Sequence, residues 1–456
     1  MNNLVKTLHI LLLCLPFTIS LSLPQSLQLR MINSDSIRSP LYPGNLTSEE
    51  LMIRLANHST LRAQHVELTL SAPHASYDTM RLRPHVFPTP SNLYLVEVHV
   101  GTPAHSRSNE IQFFVLDTGS SLVWLQCEPC VNCWSPLRAR YNPVHSDSFA
   151  PIPCNHPLCE LNRPDRRCVN NQCHYTHGYD SHAVTKGVLA TETFGFATDG
   201  RQMEFIRNIV FGCGRDNQNF RLYPQITGFM GLNMMSTSFL TQASDDLRGQ
   251  FGYCLQKYTE NEQTASILRI GDNAVLRGPN VKTVPFAVVD VAHYFLPLAD
   301  VSIAGRRLGF PHGTFRARKE GNKYRGGFVI DSGTGSTMFV HGGPYERVKQ
   351  AFIDYFQPFG LTRSSNPKFE VCYKIPTRGF TAYPSMTLHF ENGKDFVVQP
   401  DNVVWPAPNM FCVVIQRSNS VNIFGTYQQR NHRISYDTRN RVLSYVPADC
   451  SADLAS

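Results

Sequence analysis

The sequence predicts an all-β protein made of two similar halves. From residue 94 onward, short segments rich in β-branched and aromatic residues alternate with turns that contain Gly and Pro. Few stretches have a long helical period. In addition, the segment Phe114-Val-Leu-Asp117-Thr-Gly-Ser120 is matched by Phe328-Val-Ile-Asp331-Ser-Gly-Thr334 much later in the chain. Such a repeat predicts one β lobe in each half, with a boundary between Gly271 and Val301 or somewhat earlier.

Length and composition describe a globular protein. The 456 residues are enough for two or three domains. A hydrophobic content of 42% and a charged content of 17% are ordinary values for a packed fold. The net charge of +7 is spread along the chain without a basic run, so we expect no nucleic-acid partner.

The first 22 residues have the pattern of a secretory signal peptide. Lys6 precedes the apolar run Leu8-His-Ile-Leu-Leu-Leu-Cys-Leu15, and Pro16 and small residues follow it. A membrane anchor is the alternative, but the run is shorter than the roughly 20 residues that a spanning helix needs. No later run is long enough either. We therefore expect no membrane span, and secretion to the extracellular space (apoplast), with the vacuole as a second destination.

The segment from residue 23 to about residue 85 differs from the rest of the chain. It contains no Cys and only scattered apolar positions. The stretch Ser48-Glu-Glu-Leu-Met-Ile-Arg-Leu55 has helical spacing and predicts a helix with Ser48 as its N-cap. Two N-glycosylation sequons begin here, at Asn45 and Asn57.

After this segment the expected elements are strands and two short helices. Strands are predicted at Tyr94–Val100, 111–116, 122–125, 208–211, Phe328–Ile330 and 442–446, and helices at 236–242 and Pro344–Phe356.

The two Asp motifs point to chemistry. A single Asp after an apolar run is more often a turn residue, since Asp side chains cap turns. An unpaired buried carboxylate is costly, so two similar positions suggest that Asp117 and Asp331 meet at one site. Two adjacent carboxylates share one proton. One can then act as a general base on a water while the other acts as a general acid toward a substrate carbonyl, as the aspartic proteases do.

Asp117-Thr-Gly-Ser120 and Asp331-Ser-Gly-Thr334 resemble the paired signatures of pepsin-type aspartic proteases. The resemblance extends from about Tyr94 to Cys450. It implies a bilobal pepsin-like fold with the active-site cleft between the lobes. It also implies that the elements Phe229-Met-Gly231 and Ile423-Phe-Gly425 lie beneath the two Asp loops.

Further motifs resemble the nepenthesin-type branch of plant aspartic proteases. They are Trp124-Leu-Gln-Cys127-Glu-Pro-Cys130-Val-Asn-Cys133 and Ile423-Phe-Gly-Thr-Tyr-Gln-Gln-Arg-Asn431. The N-terminal leader is similar to that of the extracellular subgroup linked to disease resistance. The stretch Ser34–Tyr42 resembles the propeptide of these proteases.

The resemblance implies the following division of the chain. Residues 1–22 are a signal peptide, 23–85 an inhibitory propeptide, 86–275 an N-terminal lobe with a Cys-rich insertion at 127–173, and 276–456 a C-terminal lobe. A disordered, glycosylated leader is the alternative for residues 23–85. The arginines of this segment that could neutralise the two carboxylates are Arg54, Arg62, Arg81 and Arg83.

The cysteines favour disulfides. Of 13, Cys14 lies in the signal peptide, which leaves an even number for an oxidising route. These are Cys127, Cys130, Cys133, Cys154, Cys159, Cys168, Cys173, Cys213, Cys254, Cys372, Cys412 and Cys450. The close spacing of the first three is also compatible with zinc, which we consider the weaker interpretation for a secreted chain. The first seven form a dense group of odd number, so at least one must pair outside it, and Cys213 is the nearest candidate.

By resemblance, Asp117 and Asp331 hold the nucleophilic water. The hydroxyls of Ser120 and Thr334 would donate to the outer carboxylate oxygens, and those of Thr118 and Ser332 would connect the loops. Gly119 and Gly333 would allow close backbone approach. No cofactor or metal is called for.

A β-hairpin flap is expected to cover the cleft. Tyr179 matches the flap tyrosine of the family and Trp124 its hydrogen-bonding partner, although Tyr179 could instead be a core or edge-strand aromatic. The chain departs from the family after Tyr179, where Asp180-Ser-His182 replaces a Gly-rich tip. We expect altered flap mobility, specificity and pH dependence.

Two functions are compatible with these features. The first is a secreted monomeric aspartic endopeptidase, made as a zymogen, that acts on protein or peptide substrates. The second is a catalytically weak or inactive binding or inhibitor protein of the same fold. Intact Asp motifs favour the endopeptidase, whereas the unusual flap favours the binding protein.

Overall fold

The computed structural model describes residues 26–37, 39, 42, 44–71, 94–102, 110–134, 139–178, 183–197, 203–220, 226–243, 247–256, 265–321 and 323–452. The predicted signal peptide and the predicted flap tip at 179–182 lie outside these ranges. Within them, no helix combines the length and apolarity needed to cross a membrane.

Most of the regular structure is β, as predicted. The strands up to residue 285 are β1 (Ser26–Asn33), β2 (Tyr94–Val100), β3 (Glu110–Asp117), β4 (Trp124–Gln126), β5 (Ala150–Pro151), β6 (Arg166–Val169), β7 (Gln172–Gly178), β8 (Val184–Ala197), β9 (Met203–Gln218), β10 (Gly228–Gly231), β11 (Gln250–Cys254), β12 (Ala265–Gly271) and β13 (Lys282–Pro285). The later strands are β14 (Leu298–Ile303), β15 (Arg306–Arg307), β16 (Ala317–Glu320), β17 (Lys323–Gly326), β18 (Phe328–Ile330), β19 (Thr337–Val340), β20 (Arg363–Ser364), β21 (Cys372–Lys374), β22 (Met386–Phe390), β23 (Asp395–Val398), β24 (Val404–Pro406), β25 (Met410–Val413), β26 (Ile415–Ser418), β27 (Asn422–Phe424), β28 (His432–Asp437) and β29 (Val442–Pro447). The α-helices are α1 (Ser48–Ser71), α2 (Phe239–Gln242), α3 (Pro344–Phe356) and α4 (Thr426–Gln429).

The observed elements agree closely with several of the predicted ones. The bounds of β2, β18 and α3 are those predicted, whereas α2 begins three residues later than expected. Ser238 explains that shift, because its side chain accepts a hydrogen bond from the Thr241 N–H and caps the helix there.

One large sheet connects the two halves of the chain. It has 15 strands, and most of them come from the first half. β28, from the end of the chain, pairs with β11, while β1 lies between β12 and β2. The register of β1 sets Leu29 opposite Leu268 and Met31 opposite Val96. Both ends of the described chain are therefore built into the sheet between the lobes.

Each Asp motif follows a strand that has a parallel partner. β3 pairs with β10, so that Asp117 faces Gly231, and β18 pairs with β27. These partners are the two apolar-apolar-Gly elements. A side chain at Gly231 would collide with the backbone of Ser121, and one at Gly425 with the backbone of Ser336. The glycines thus let each Asp loop lie directly on its supporting strand.

Helix α1 is longer than predicted and begins differently. It continues to Ser71, well beyond the predicted Leu55. The prediction that Ser48 is the N-cap was wrong by one residue. Thr47 and Glu50 form a capping box, in which the Thr47 hydroxyl accepts from the Glu50 N–H (3.2 Å) and the Glu50 carboxylate accepts from the Thr47 N–H (2.8 Å). The Ser48 hydroxyl instead donates to the Pro406 carbonyl (3.1 Å).

Both glycosylation sequons lie close to α1. Asn45 is exposed, and its side-chain oxygen accepts a hydrogen bond from the Tyr42 hydroxyl (3.0 Å). Asn57 is half-buried on α1 itself.

The twelve cysteines after residue 22 form six disulfides. The dense group has an odd number of cysteines, so one of them must pair with a cysteine outside the group. Cys127 does so by pairing with Cys213. The other pairs are Cys130–Cys133, Cys154–Cys168, Cys159–Cys173, Cys254–Cys450 and Cys372–Cys412. In the described ranges, no group of three or more His, Cys, Asp or Glu side chains is arranged to hold a metal ion.

The support beneath the first Asp loop can be tested with Gly231→Ala. The added methyl group would meet the Ser121 backbone, so we expect a destabilisation of about 2 kcal/mol. Thermal unfolding followed by circular dichroism would show it as a midpoint several degrees lower. Gly343→Ala is the matched control, since no heavy atom lies within 4 Å of an added Cβ there. Equal midpoints for the two variants would contradict the proposed close packing.

Candidate active site

Asp117 ends strand β3 in a loop that is closed around its carboxylate. The residue is 1% exposed. One carboxylate oxygen accepts from the Gly119 N–H (3.0 Å) and the other from the Ser120 hydroxyl (2.5 Å). Both donors come from within three residues, so the DTGS sequence itself provides the local partners of its Asp.

Asp331 follows β18 in an equivalent loop. It is fully buried, and its oxygens accept from the Gly333 N–H (3.1 Å) and the Thr334 hydroxyl (2.6 Å). The repeated motif therefore produces the same arrangement of donors twice, once in each half of the chain.

Reciprocal hydrogen bonds connect the two loops. The Thr118 N–H donates to the Ser332 hydroxyl (3.1 Å), and the Ser332 N–H donates to the Thr118 hydroxyl (2.8 Å). The Ser332 hydroxyl also donates to the Leu116 carbonyl (3.2 Å). These bonds hold the two carboxylates at one site.

Arg62 of α1 lies between the two carboxylates. Its guanidinium donates from Nε to Asp331 (2.9 Å) and from one terminal nitrogen to Asp117. The Arg62 side chain is itself 8% exposed. Of the other arginines considered from the sequence, Arg54 pairs with Asp35 (3.6 Å), and Arg81 and Arg83 lie outside the described residues.

The two carboxyl groups have opposite pKa shifts. Burial raises the pKa of Asp117, and repulsion from Asp331 adds to this, while Arg62 offsets only part of the rise. Burial also acts to raise the pKa of Asp331, but attraction to Arg62 and the hydrogen bonds from Arg62, Thr334 and Gly333 outweigh it and lower that pKa. Of the two carboxyl groups, Asp331 is therefore the more readily ionised.

The first half of α1 packs directly on the second Asp loop. The His58 ring shares a hydrogen bond with the Gly333 carbonyl (2.7 Å), and the Ser59 hydroxyl accepts from the Ser336 N–H (2.8 Å). A side chain at Gly335 would collide with Leu55. The loop glycines therefore accommodate the helix as well as the carboxylates.

The second half of α1 covers the neighbouring surface of the C-terminal half. Ala63, Val66 and Leu70 are buried in one apolar cluster with Phe295 and Tyr324. Taken together, the two halves of α1 occupy the space above both carboxylates.

Four histidines surround this interface, and the sequence analysis did not identify them. His58 and His65 lie on α1, His177 on β7 and His293 in the loop before β14. Burial lowers the pKa of His58, His177 and His293 to about 4, and that of His65 still further. His58 lies four residues before Arg62, and His65 lies three residues after it. This spacing would have placed both histidines on the same helix face as Arg62 if the predicted helix had continued to Ser71.

The candidate flap is only partly described. β7 and β8 form an antiparallel hairpin with Gly178 opposite Val184. Tyr179, Asp180 and His182 fall in its tip and lie outside the described residues. Trp124 is fully buried and stacks on Phe229, with 5.5 Å between ring centroids. Trp124 thus belongs to the core cluster that also contains Tyr175 of the hairpin.

Comparison with known families places both halves of the chain in one group. The family described as Xylanase inhibitor N-terminal matches residues 94–272, and the family described as Xylanase inhibitor C-terminal matches residues 293–447. The solved structure titled "Crystal structure of edgp" aligns with a TM-score of 0.64 at 17% identity, covering 79% of this chain and 93% of that one. At this identity the likeness concerns the fold, which is the bilobal pepsin-like fold.

Relatives of known sequence are more informative. Aspartic proteinase nepenthesin-2 from Nepenthes gracilis is 33% identical over 362 residues, which cover 79% of this chain and 78% of nepenthesin-2. Aspartic proteinase nepenthesin-1 from the same plant is 30% identical over 412 residues, which cover 90% of this chain and 88% of nepenthesin-1. With its two equivalent Asp loops, this chain therefore belongs to the family of pepsin-like plant aspartic proteases that includes the nepenthesins.

Proposed function

We propose that the chain is the zymogen of a secreted aspartic endopeptidase. Residues 1–22 would be its signal peptide and residues 23–85 its inhibitory propeptide. The observation that carries this proposal is the position of Arg62, which contacts Asp117 and Asp331 at the same time. A cation from a removable segment neutralises the two buried carboxylates. It also prevents a substrate from reaching them.

Removal of the propeptide would leave a water between the two carboxylates. The ionised carboxylate takes a proton from this water as its oxygen attacks the scissile carbonyl carbon. The protonated carboxylate gives its proton to the carbonyl oxygen, and a tetrahedral diol forms without an acyl-enzyme. Collapse of the diol breaks the C–N bond: the carboxylate that gave up its proton takes one back from a diol hydroxyl as the carbonyl re-forms, and the amine leaves with the proton taken from the water. The donors to each carboxylate support this mechanism, because they hold both groups in place.

The alternative is a binding or inhibitor protein on the same fold. Its support is the family description as xylanase inhibitor and the unusual residues 180–182. Two observations argue against this alternative. Each carboxylate retains hydrogen-bond donors from its own loop, and a cation lies between the two carboxylates. The endopeptidase is therefore the better-supported function, and activity of the processed protein distinguishes the two.

The first prediction concerns the two carboxylates. Asp117→Asn and Asp331→Asn should each lower the cleavage of an unbiased peptide mixture by at least about 10³-fold, because each variant lacks one member of the acid–base pair. Mass spectrometry of the products between pH 3 and 7 measures this effect. Asp354→Asn is the control, since this exposed Asp on α3 accepts a hydrogen bond from Gln350 in the same helix. Cleavage that survives in both dyad variants would refute the proposal.

The second prediction concerns Arg62. Arg62→Gln should weaken the closed form, because the variant removes the shared partner of two buried carboxylates, a change that costs on the order of 3 kcal/mol or more. At pH 5.5 the unprocessed chain should then cleave a peptide at least about tenfold faster than the parent chain. Arg54→Gln is the matched control, since Arg54 pairs with Asp35 and not with the dyad. No gain of activity in Arg62→Gln alone would show that α1 does not inhibit through this side chain.

The third prediction concerns the pH of activation. In the closed form the pKa of His58 is about 4, but it should return toward 6.5 when α1 leaves and the ring regains water. The open form therefore binds more protons between pH 6.5 and 4, and the closed form loses stability as the pH falls through that window. His58→Gln keeps a donor to Gly333 but cannot be protonated. We expect its midpoint of self-processing to move down by about half a pH unit.

Electrophoresis of samples incubated across the pH series gives that midpoint. His312→Gln serves as the control, because His312 is exposed and remote from α1. A midpoint that is the same for His58→Gln and for the parent chain would exclude this histidine as part of the response to acid.

A further inference from the structure

Glu67 of α1 occupies a small carboxylate-binding site in the C-terminal half. One of its oxygens accepts hydrogen bonds from two successive backbone N–H groups, those of Asn419 and Ser420, both at 2.8 Å. The Asn419 side-chain amide lies 3.5 Å from the other oxygen. Successive N–H groups that point at one anion form a recurrent type of anion site. We refer to these donors as the 419–420 site.

The 419–420 site is held in shape by residues outside α1. It lies in the short link between β26 and β27. The Gly326 N–H donates to the Ser420 carbonyl (2.6 Å), and the Asn422 side chain donates to the Gly327 carbonyl (2.7 Å) and accepts from the Val340 N–H (2.8 Å). The site should therefore persist when α1 is removed, with its two N–H groups then uncovered.

The surroundings of the 419–420 site favour an anion. Strand β17, which contacts α1 and ends at Gly326, carries Lys323 and Arg325. The carboxylate on the β16–β17 hairpin is Glu320, which already pairs with Arg325 (3.1 Å). The hairpin next to the two backbone donors therefore carries an excess of positive charge.

The distance to the dyad corresponds to a substrate subsite. Glu67 follows Arg62 by five residues, which is about 7.5 Å along the helix axis at 1.5 Å per residue and about 140° around it at 3.6 residues per turn. An extended peptide rises roughly 3.3 Å per residue, so the axial separation alone spans about two residues of a bound substrate, and the different directions of the two side chains add to it.

From this geometry we infer that the 419–420 site is a specificity subsite that selects an acidic side chain two to four residues from the scissile bond. The inference rests on the proposed endopeptidase function, with Glu67 standing in the zymogen where a substrate carboxylate binds in the processed enzyme. The substrate class is accordingly proteins with Glu or Asp near the cleaved bond.

The test compares matched peptides that carry Glu or Gln at each position within four residues of the scissile bond. With the processed protein at pH 5.5, one position on one side should favour Glu by about tenfold in kcat/KM, as expected for charge-assisted hydrogen bonds. The preference should disappear at pH 3, where the substrate Glu is protonated. Equal rates for Glu and Gln at every position would overturn the inference.

Two variants connect that preference to the site. Ser420→Pro lacks one of the donor N–H groups and should lose the Glu preference, measured as the ratio of kcat/KM for the matched Glu and Gln peptides. Ser420→Ala keeps the N–H and should retain the preference. A Glu preference that survives in Ser420→Pro would assign it to another part of the cleft and overturn the inference.

A binding measurement separates this inference from the proposed function. A synthetic peptide of residues 48–71 is titrated into the processed protein by calorimetry, with or without Glu67→Gln. The parent peptide should bind about tenfold more tightly, whereas Glu49→Gln, which changes an exposed carboxylate of the same helix, should have no effect. If the protein cleaves no peptide, the endopeptidase proposal fails, but this titration still decides whether the site binds a carboxylate. Equal affinities for the parent and Glu67→Gln peptides would overturn it.

Discussion

The burial of two carboxylates at one point is the constraint on which the rest of the structure depends. Neither Asp117 nor Asp331 could be buried without partners, because the free-energy cost of burying an unpaired charge is far larger than the stabilisation from a single contact. Each loop provides a backbone N–H and a hydroxyl as hydrogen-bond donors to its carboxylate. Reciprocal hydrogen bonds then join the two loops. The parallel strands beneath them, and the glycines that allow close approach, exist in both halves because the same requirement arises twice.

Helix α1 compensates the buried charge of the two carboxylates. Its Arg62 supplies the positive charge between the carboxylates, and the helix surface around Arg62 fills the space above them. Strand β1 fixes the same segment of chain in the sheet that joins the lobes. The described residues before position 72 are therefore an integral part of this fold.

The polar contacts of α1 lie on the surface that a substrate of the proposed endopeptidase would contact. Its carboxylate at Glu67 satisfies two N–H groups, and its His65 is buried close to His177 and His293. Because the pKa values of His58 and His65 are lowered at this interface, protonation of either ring in acid would weaken the packing of α1. Inhibition, response to acid and substrate preference would thus depend on one helix and the groups that face it.

Sequence reasoning succeeded where the information is local. The alternation and apolar runs predicted β2 and β18, the helical period predicted α3, and the repeated motif identified both Asp loops, since each loop takes its donors from its own three following residues. The prediction missed the start of α1, where the local pair Thr47 and Glu50 forms a capping box, whereas the residue three positions after Ser48 is Leu51. By itself, then, the sequence determined the fold class, the paired carboxylates and the even set of cysteines. Only the tertiary structure decided that Arg62 reaches the dyad while Arg54 pairs with Asp35, that Cys127 joins Cys213, and that Glu67 meets residues 419–420, because these choices depend on distances between segments that lie far apart in the chain.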